Sequence, residues 1–285
     1  MSKAAQLRAL LDGDGPVLAA GAHNGIGAAL ARRAGYDAVW ASGLEISASH
    51  GLPDIGLLGM TDFLQAARTM DKASSLPVIA DCDTGFGGEA NVAYAVSSYE
   101  AAGIAAVCFE DKVFPKRNSF AEERHQELVS VHEFSRKIRA AKGAQSSPDL
   151  VIIARTEALI AGAGMDEALR RADAFAAAGA DVILIHSKAK EKTEIEEFLG
   201  RWGGGLPIAI VPTTYPDWTV QDAYEAGASL IIHANQGLRA TVTAVQATFE
   251  TMIAAGCPRP VESRIATVAD IFELQNMEYW LELGA

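Results

Sequence analysis

Cysteine is scarce in this chain. The three present, Cys82, Cys108 and Cys257, are too few and too scattered for a disulfide framework or a zinc site. Cys82 and Cys108 lie in or beside apolar runs, where a packing role is expected. Positive charge is also in short supply: 24 Lys and Arg stand against 36 Asp and Glu, a formal net charge of −12, with no basic run. The electrostatic footprint of a nucleic-acid or anionic-membrane partner is therefore missing. An anionic ligand would have to be held by a few local cations or by a metal. No apolar run reaches membrane-spanning length, and residues 2–11 are charged and helix-like rather than a secretory leader. No linker, low-complexity segment or composition shift divides the 285 residues. Together these absences predict a single soluble domain, residues 1–285, in a reducing compartment such as the cytoplasm.

What the chain does have is a recurring phrase. It occurs as RRAGYDAVWASG (32–43), YEAAGIAAVCFED (99–111), AFAAAGADVILIHS (174–187) and AYEAGASLIIHAN (223–235). Each copy reads as the end of an amphipathic helix, an Ala-Gly stop, a short apolar strand and then a polar residue. Glycine just past a helix suits a left-handed C-cap. Near-continuous apolar strands are expected where both faces of a parallel sheet are covered. Eight strand candidates follow, ending near Ala20, Ser42, Asp83, Glu110, Arg155, His186, Pro212 and His233. Helical patterns lie between most of them, as at 91–102, 165–178 and 221–226. Strand–helix alternation with eight strands predicts a (β/α)8 TIM barrel. A doubly wound sheet is the alternative, because GFGGEA superficially resembles a dinucleotide loop, but it sits on the third strand after charged residues.

Barrel active sites are built at the carboxyl ends of the strands. The residues found there are Ser42-Gly43-Leu44, Asp81, Asp83, Glu110, Arg155, His186 and Asn235. The stretch PVIADCDTGFGGEA (77–90) is central to this set. Alternation along a strand would place Asp81 and Asp83 on one face, and two adjacent carboxylates call for a positive charge between them. Mg²⁺ meets that need with one or two carboxylates, waters and an anionic substrate. A polar turn explains the pair equally well when it is taken alone. Each other member has an ordinary alternative too: Glu110 as partner of Lys112, Arg155 as neutraliser of Glu157, and His186 or His233 as a satisfied core residue. Two segments stand outside the repeat. A polar insertion, EDKVFPKRNSFAEERHQE (110–127), has the character of a lid over about 111–127. After Pro258 and Pro260, residues 268–283 read as an amphipathic helix that must dock on its own barrel or on a second subunit.

At these residues the chain resembles the phosphoenolpyruvate mutase/isocitrate lyase superfamily over nearly its whole length. The matching segments are AHNG (22–25), WASGLEISAS (40–49), Asp54, ADCDTGFGG (80–88), EDKVFPKRNS (110–119), ARTEA (154–158) and LIHS (184–187). Lyases of the superfamily that cleave carbon–carbon bonds carry a catalytic cysteine in the lid, in a Lys-x-Cys-Gly-His pattern. Here the lid reads Lys116-Arg117-Asn118-Ser119 with no cysteine, similar to the Pro-Lys-x-Asn-Ser of the phosphoenolpyruvate mutase branch. Phosphonopyruvate hydrolases share the EDKxFPK opening and resemble the loop less well at Asn118. The resemblance implies Mg²⁺ beneath a pyruvate unit, held directly by Asp81 and largely through water by Asp83 and Glu110. It implies that the backbone of Ser42, Gly43 and Leu44 binds the substrate carboxylate and that Trp40 lines the pocket. Arg155, His186 and Asn118 would hold the phosphoryl group, and Lys116 and Ser119 would help the lid close. Asp54 matches a carboxylate beside the reacting centre, acting as nucleophile or as electrostatic partner. The implied activity is interconversion of phosphoenolpyruvate and phosphonopyruvate through a pyruvate enolate. Phosphonopyruvate hydrolysis is the alternative, and a carbon–carbon lyase or a non-catalytic binding barrel is less favoured. The superfamily also implies a homo-oligomer, a dimer of dimers, with residues 266–283 exchanged between subunits.

Overall fold

A computed structural model of the chain describes residues 1–120, 126–203 and 205–284. The elements run α1 (Lys3–Leu11), β1 (Val17–Ala22), α2 (Gly25–Ala34), β2 (Ala38–Ala41), α3 (Gly43–Ser49), α4 (Met60–Ala73), β3 (Val78–Asp81), α5 (Glu89–Ala101) and β4 (Ala106–Glu110). They continue through α6 (Val131–Ala144), β5 (Val151–Thr156), α7 (Met165–Ala177), β6 (Val182–Ile185), α8 (Thr193–Arg201), β7 (Ile208–Ile210), α9 (Val220–Glu225), β8 (Ala228–His233), α10 (Gln236–Ala255), α11 (Val268–Leu274) and α12 (Met277–Leu283). The eight strands pair in parallel and in chain order, and β8 closes on β1, with Val17 opposite Leu230. This is the (β/α)8 barrel, and the doubly wound alternative is excluded. The helix–Gly–strand phrase works as expected: Gly35, Gly103, Gly179 and Gly227 all take positive φ, between +85° and +110°. Each one ends a helix where an L side chain would be strained and turns the chain into the next strand.

Pairing and the period of two sort the side chains into two cores. Alternate strand residues point outward against the helices, among them Val39, Val78, Val107, Phe109, Ile152 and Ile183. The others fill the barrel: Ala19, Ala38, Trp40, Ile79, Cys108, Ile153, Leu184, Ala209, Leu230 and Ile232, with Leu7 of α1 joining their cluster. Cys82 and Cys108 are buried core residues, and burial pushes both thiols up.

The carboxyl-terminal region departs from expectation. Residues 268–283 form two short helices, α11 and α12, rather than one. The break falls at Asn276, which adopts a left-handed conformation with φ +52°. Thr267 opens α11 with a capping box, its hydroxyl accepting from the Asp270 N–H while Asp270 accepts from the Thr267 N–H. α10 is a 20-residue helix with no buried residue. Val242, Phe249 and Ile253 on α10, and Phe272, Trp280 and Leu281 beyond it, are all exposed. Among the described residues no helix is long and apolar enough to cross a membrane.

Candidate active site

The working end of the barrel is where the interior strand face changes from apolar to charged. Ile79 is followed two residues on by Asp81, Cys108 by Glu110, Ile153 by Arg155 and Leu184 by His186. A period of two keeps each pair on the same side of its strand. Glu110 sits directly opposite Arg155 in the β4–β5 register, and their side chains meet at 3.3 Å. Trp40, Ser42, Leu44, Asp54, Asp81, Glu110, Lys116, Asn118, Ser119, Arg155, His186 and Asn235 line one small cavity of about 50 Å³. His233 is not among them; its Nδ1 lies 2.8 Å from the Tyr36 hydroxyl, against which the ring packs edge-on.

Asp83 reaches the site by a different route from the one strand alternation predicts. β3 ends at Asp81, and Asp83 lies beyond it in a turn with φ +50°. The turn brings the carboxylates together, and the Asp83 N–H donates to Asp81 Oδ1 at 3.2 Å. Gly43 measures how closely they converge. A Cβ there would stand 3.0 Å from Asp81 Oδ2 and 3.1 Å from Asp83 Oδ1, so a side chain would have to push the two carboxylates back by a few tenths of an ångström. The Gly43 N–H donates to Asp81 Oδ2 at 3.3 Å. Ser42 caps α3, its hydroxyl accepting from the Glu45 N–H, and Ser42 and Leu44 border the cavity at the start of the helix.

Residues 112–120, in the segment expected to be a lid, fold over this platform. At its base Lys112 bridges Leu128 and the Val113 N–H donates to the Glu127 carbonyl, while residues 121–125, the outer part of the expected 111–127 segment, lie outside the described residues. Lys116 reaches in between two carboxylates, 2.9 Å from Asp54 Oδ1 and 2.5 Å from Asp83 Oδ1. Asn118 donates through Nδ2 to Asp54 Oδ2 at 2.9 Å. Asp54 therefore anchors two lid residues at once. Ser119 is buried and accepts from Arg155 Nη2 at 2.9 Å.

Glu110 and Arg155 satisfy part of their ordinary alternatives and exceed them. Lys112 does not pair with Glu110; its Nζ lies 2.9 Å from Glu157 Oε2. Arg155 does neutralise Glu157, through Nε at 2.6 Å, and its Nη2 also contacts His186 Nδ1 at 3.0 Å. In the sequence Glu157 stands out only as a counter-ion of Arg155, and nothing there marks Lys112 or Phe120 as site residues. The ring of Phe120 packs edge-on to His186, with 5.9 Å between centroids. Burial lowers the His186 pKa, and the neighbouring Glu157 offsets part of that shift. His186 Nε2 is buried without a protein partner, and so are Glu110 Oε1 and Asn235 Oδ1.

Among the described residues no three His, Cys, Asp or Glu side chains stand close enough to enclose a metal by themselves. Mg²⁺ does not require such a cage, because it keeps several waters and takes one or two carboxylates plus the substrate. The donor chemistry fits it. Asp81, Asp83 and Glu110 are all oxygen donors, Glu110 Oε1 is an orphan, and the local charge is unbalanced. Burial pushes the Asp83 carboxyl up to about 8; Lys116 opposes that shift, and Asp81, Asp54 and Glu110 add to it. A divalent cation would supply the missing positive charge.

Fold and site together are those of a (β/α)8-barrel enzyme with its polar residues gathered at the carboxyl ends of the strands. Residues 7–253 match the family described as phosphoenolpyruvate phosphomutase. The chain is 45% identical to the phosphonopyruvate hydrolase of Variovorax sp. (strain Pal2), over 98% of this chain and 96% of the relative. It superposes on the crystal structure of a phosphoenolpyruvate phosphomutase from Streptomyces platensis subsp. rosaceus with a TM-score of 0.97 at 53% identity, covering 98% of this chain and 97% of the other. A phosphonopyruvate hydrolase solved in complex with oxalate and Mg²⁺ gives a TM-score of 0.94 at 43% identity, covering 99% and 98%. The chain belongs to the phosphoenolpyruvate phosphomutase family, within the phosphoenolpyruvate mutase/isocitrate lyase superfamily.

Proposed function

We propose that the protein is a phosphoenolpyruvate mutase, an isomerase that interconverts phosphoenolpyruvate and phosphonopyruvate. The observation carrying this reading is Asn118, held by Asp54 in a closed lid and lining the same cavity as Arg155 and His186. In the forward direction the P–O bond to the enol oxygen breaks and a P–C bond to the methylene carbon forms, with no atom gained or lost. The transferred group passes through a loose, metaphosphate-like state, so the protein's task is positioning and charge stabilisation.

The residues divide that task. At the start of α3 the Ser42 N–H is given to the Ala22 carbonyl at 3.1 Å and the Gly43 N–H to Asp81, so the Leu44 N–H would meet the substrate carboxylate first and Gly43 would have to exchange its partner, while Trp40 forms the pocket wall. Asp81, with Asp83 and Glu110 behind it, would hold Mg²⁺, which supplies Lewis-acid stabilisation of charge on the enolate oxygen. Arg155, Asn118 and the free Nε2 face of His186 receive the phosphoryl oxygens. Asp54 acts as the electrostatic partner of Lys116 and Asn118, which already occupy both of its oxygens. Lys116 and Ser119 hold the lid shut, and the exclusion of water keeps the phosphoryl group for carbon.

The second reading is phosphonopyruvate hydrolysis, favoured by the 45% identity to a hydrolase over nearly the whole chain. In that reaction water captures the phosphoryl group and pyruvate leaves. Phosphorus NMR of the purified protein with phosphonopyruvate and Mg²⁺ separates the two. A phosphoenolpyruvate resonance supports the mutase, and inorganic phosphate formed in step with pyruvate overturns it. The unburied α10 and the apolar faces of α11 and α12 further support a homo-oligomer, a dimer of dimers with exchanged terminal helices.

A further inference from the structure

Glu157 lies one residue beyond β5, fully buried, and its role goes beyond neutralising Arg155. Four groups converge on its two oxygens. On the barrel side, Oε1 accepts from Arg155 Nε at 2.6 Å and lies 2.9 Å from His186 Nδ1. On the lid side, Oε2 accepts from the Ser119 hydroxyl at 2.5 Å and pairs with Lys112 Nζ at 2.9 Å. Lys112 also donates to the Arg117 carbonyl at 2.8 Å and to Ser119 Oγ at 3.0 Å, so it grips the lid backbone as well as its side chain. The main chain that carries it is fixed as well. The Glu157 N–H donates to Asp111 Oδ1 at 2.8 Å, and Asp111 is fixed in turn by Thr156 and by Arg171 of α7.

We propose that Glu157 is a positioning residue that latches the closed lid to the barrel and, through the same carboxylate, orients Arg155 and His186 toward the substrate. One oxygen serves the lid and the other serves the phosphoryl-binding pair, so lid closure and assembly of the site become one event. An open lid removes Ser119 from Oε2 and strips Lys112 of its contacts with Arg117 and Ser119, which leaves a buried charge pair with fewer partners and favours reclosure. The kinetic consequence rests on the proposed mutase activity; the latch itself does not.

The latch is tested by hydrogen–deuterium exchange of lid amides 113–120 in the ligand-free protein. Loss of charge-assisted bonds in Glu157→Gln is expected to speed that exchange by about 10- to 100-fold. The amides of β5 should stay protected. Ser119→Ala should produce the same kind of acceleration, and the double variant should be no faster than the faster single one, because both cut one connection. If Glu157→Gln does not fold, Ser119→Ala and Lys112→Met test the latch from the lid side. Lid exchange at the parent rate in the folded variants, or strictly multiplicative effects in the double variant, would overturn the latch. With phosphonopyruvate and Mg²⁺, a leaking lid should also raise the share of product released as inorganic phosphate by about tenfold. A variant that lowers turnover without changing that share would remove the coupling to water exclusion, and the exchange result would stand apart from it.

Discussion

Lys116→Met probes the charge balance of the site most sharply. The ammonium is buried between Asp54 and Asp83, 2.9 Å and 2.5 Å away, and those carboxylates hold it well charged against the cost of burial. Removing one partner of a buried ion pair costs about 3–5 kcal/mol when nothing can relieve the charge left behind. Relief is available here. Val113, Phe114, Arg117 and Phe120 are exposed, so the lid can lift and hydrate both carboxylates without disturbing the barrel core. The cost therefore falls on lid closure, and the stability of the barrel should drop by less than about 1 kcal/mol. Catalysis needs the closed lid, so the same 3–5 kcal/mol predicts a fall in kcat/KM of about 10²- to 10⁴-fold. Steady-state kinetics with phosphonopyruvate and thermal denaturation, run side by side, measure the two numbers. A fall in kcat/KM of less than about threefold would refute the reasoning, because it would mean that Lys116 bears none of the closure energy. A melting temperature lowered by more than about 6 °C would refute it differently, by showing that the charge is buried in the fold and not only in the lid.

Three further outcomes follow from the same geometry. Asp81→Ala should keep the barrel, since Asp81 lies at the end of β3, and should abolish Mg²⁺-dependent turnover; metal-dependent activity near the parent level would remove Asp81 from the metal assignment. Asn118→Ala should cut phosphoryl transfer by about 10- to 100-fold, the worth of one charge-assisted contact, while oxalate binding stays within about threefold of the parent. Unchanged turnover would end the lid's claim on the phosphoryl group. Sedimentation at micromolar concentration should show an oligomer, because α10 buries nothing and Phe249, Trp280 and Leu281 are open; a monomer would contradict assembly through this surface.

Much of the architecture is legible in the sequence because it repeats. Gly35, Gly103, Gly179 and Gly227 are stops that only glycine fills without strain, and each announces the strand behind it. The same regularity reveals part of the site. Asp81, Glu110, Arg155 and His186 fall on the interior parity of their strands, so a period-two reading that counts eight strands also aims their side chains inward. Asp83 breaks the parity and arrives by a turn with positive φ, which no pleat arithmetic contains. Glu157 was hidden for a different reason. In ARTEA it reads as a local counter-ion to Arg155, and its contacts with Lys112 and Ser119 span 45 and 38 residues of chain. The terminal break at Asn276 is equally silent, since no glycine or proline marks it. On α10 the sequence does mark a face, since Leu238, Val242, Val245, Phe249 and Ile253 recur at helical spacing, but it does not say what covers that face.

The central claim is that the phosphoryl group moves to carbon and not to water. The most direct measurement is phosphorus NMR of phosphonopyruvate turnover in H₂¹⁸O with Mg²⁺. The mutase predicts a phosphoenolpyruvate signal growing as phosphonopyruvate disappears, with no ¹⁸O-shifted phosphate. One ¹⁸O-labelled phosphate for each pyruvate formed, with no phosphoenolpyruvate, would contradict it.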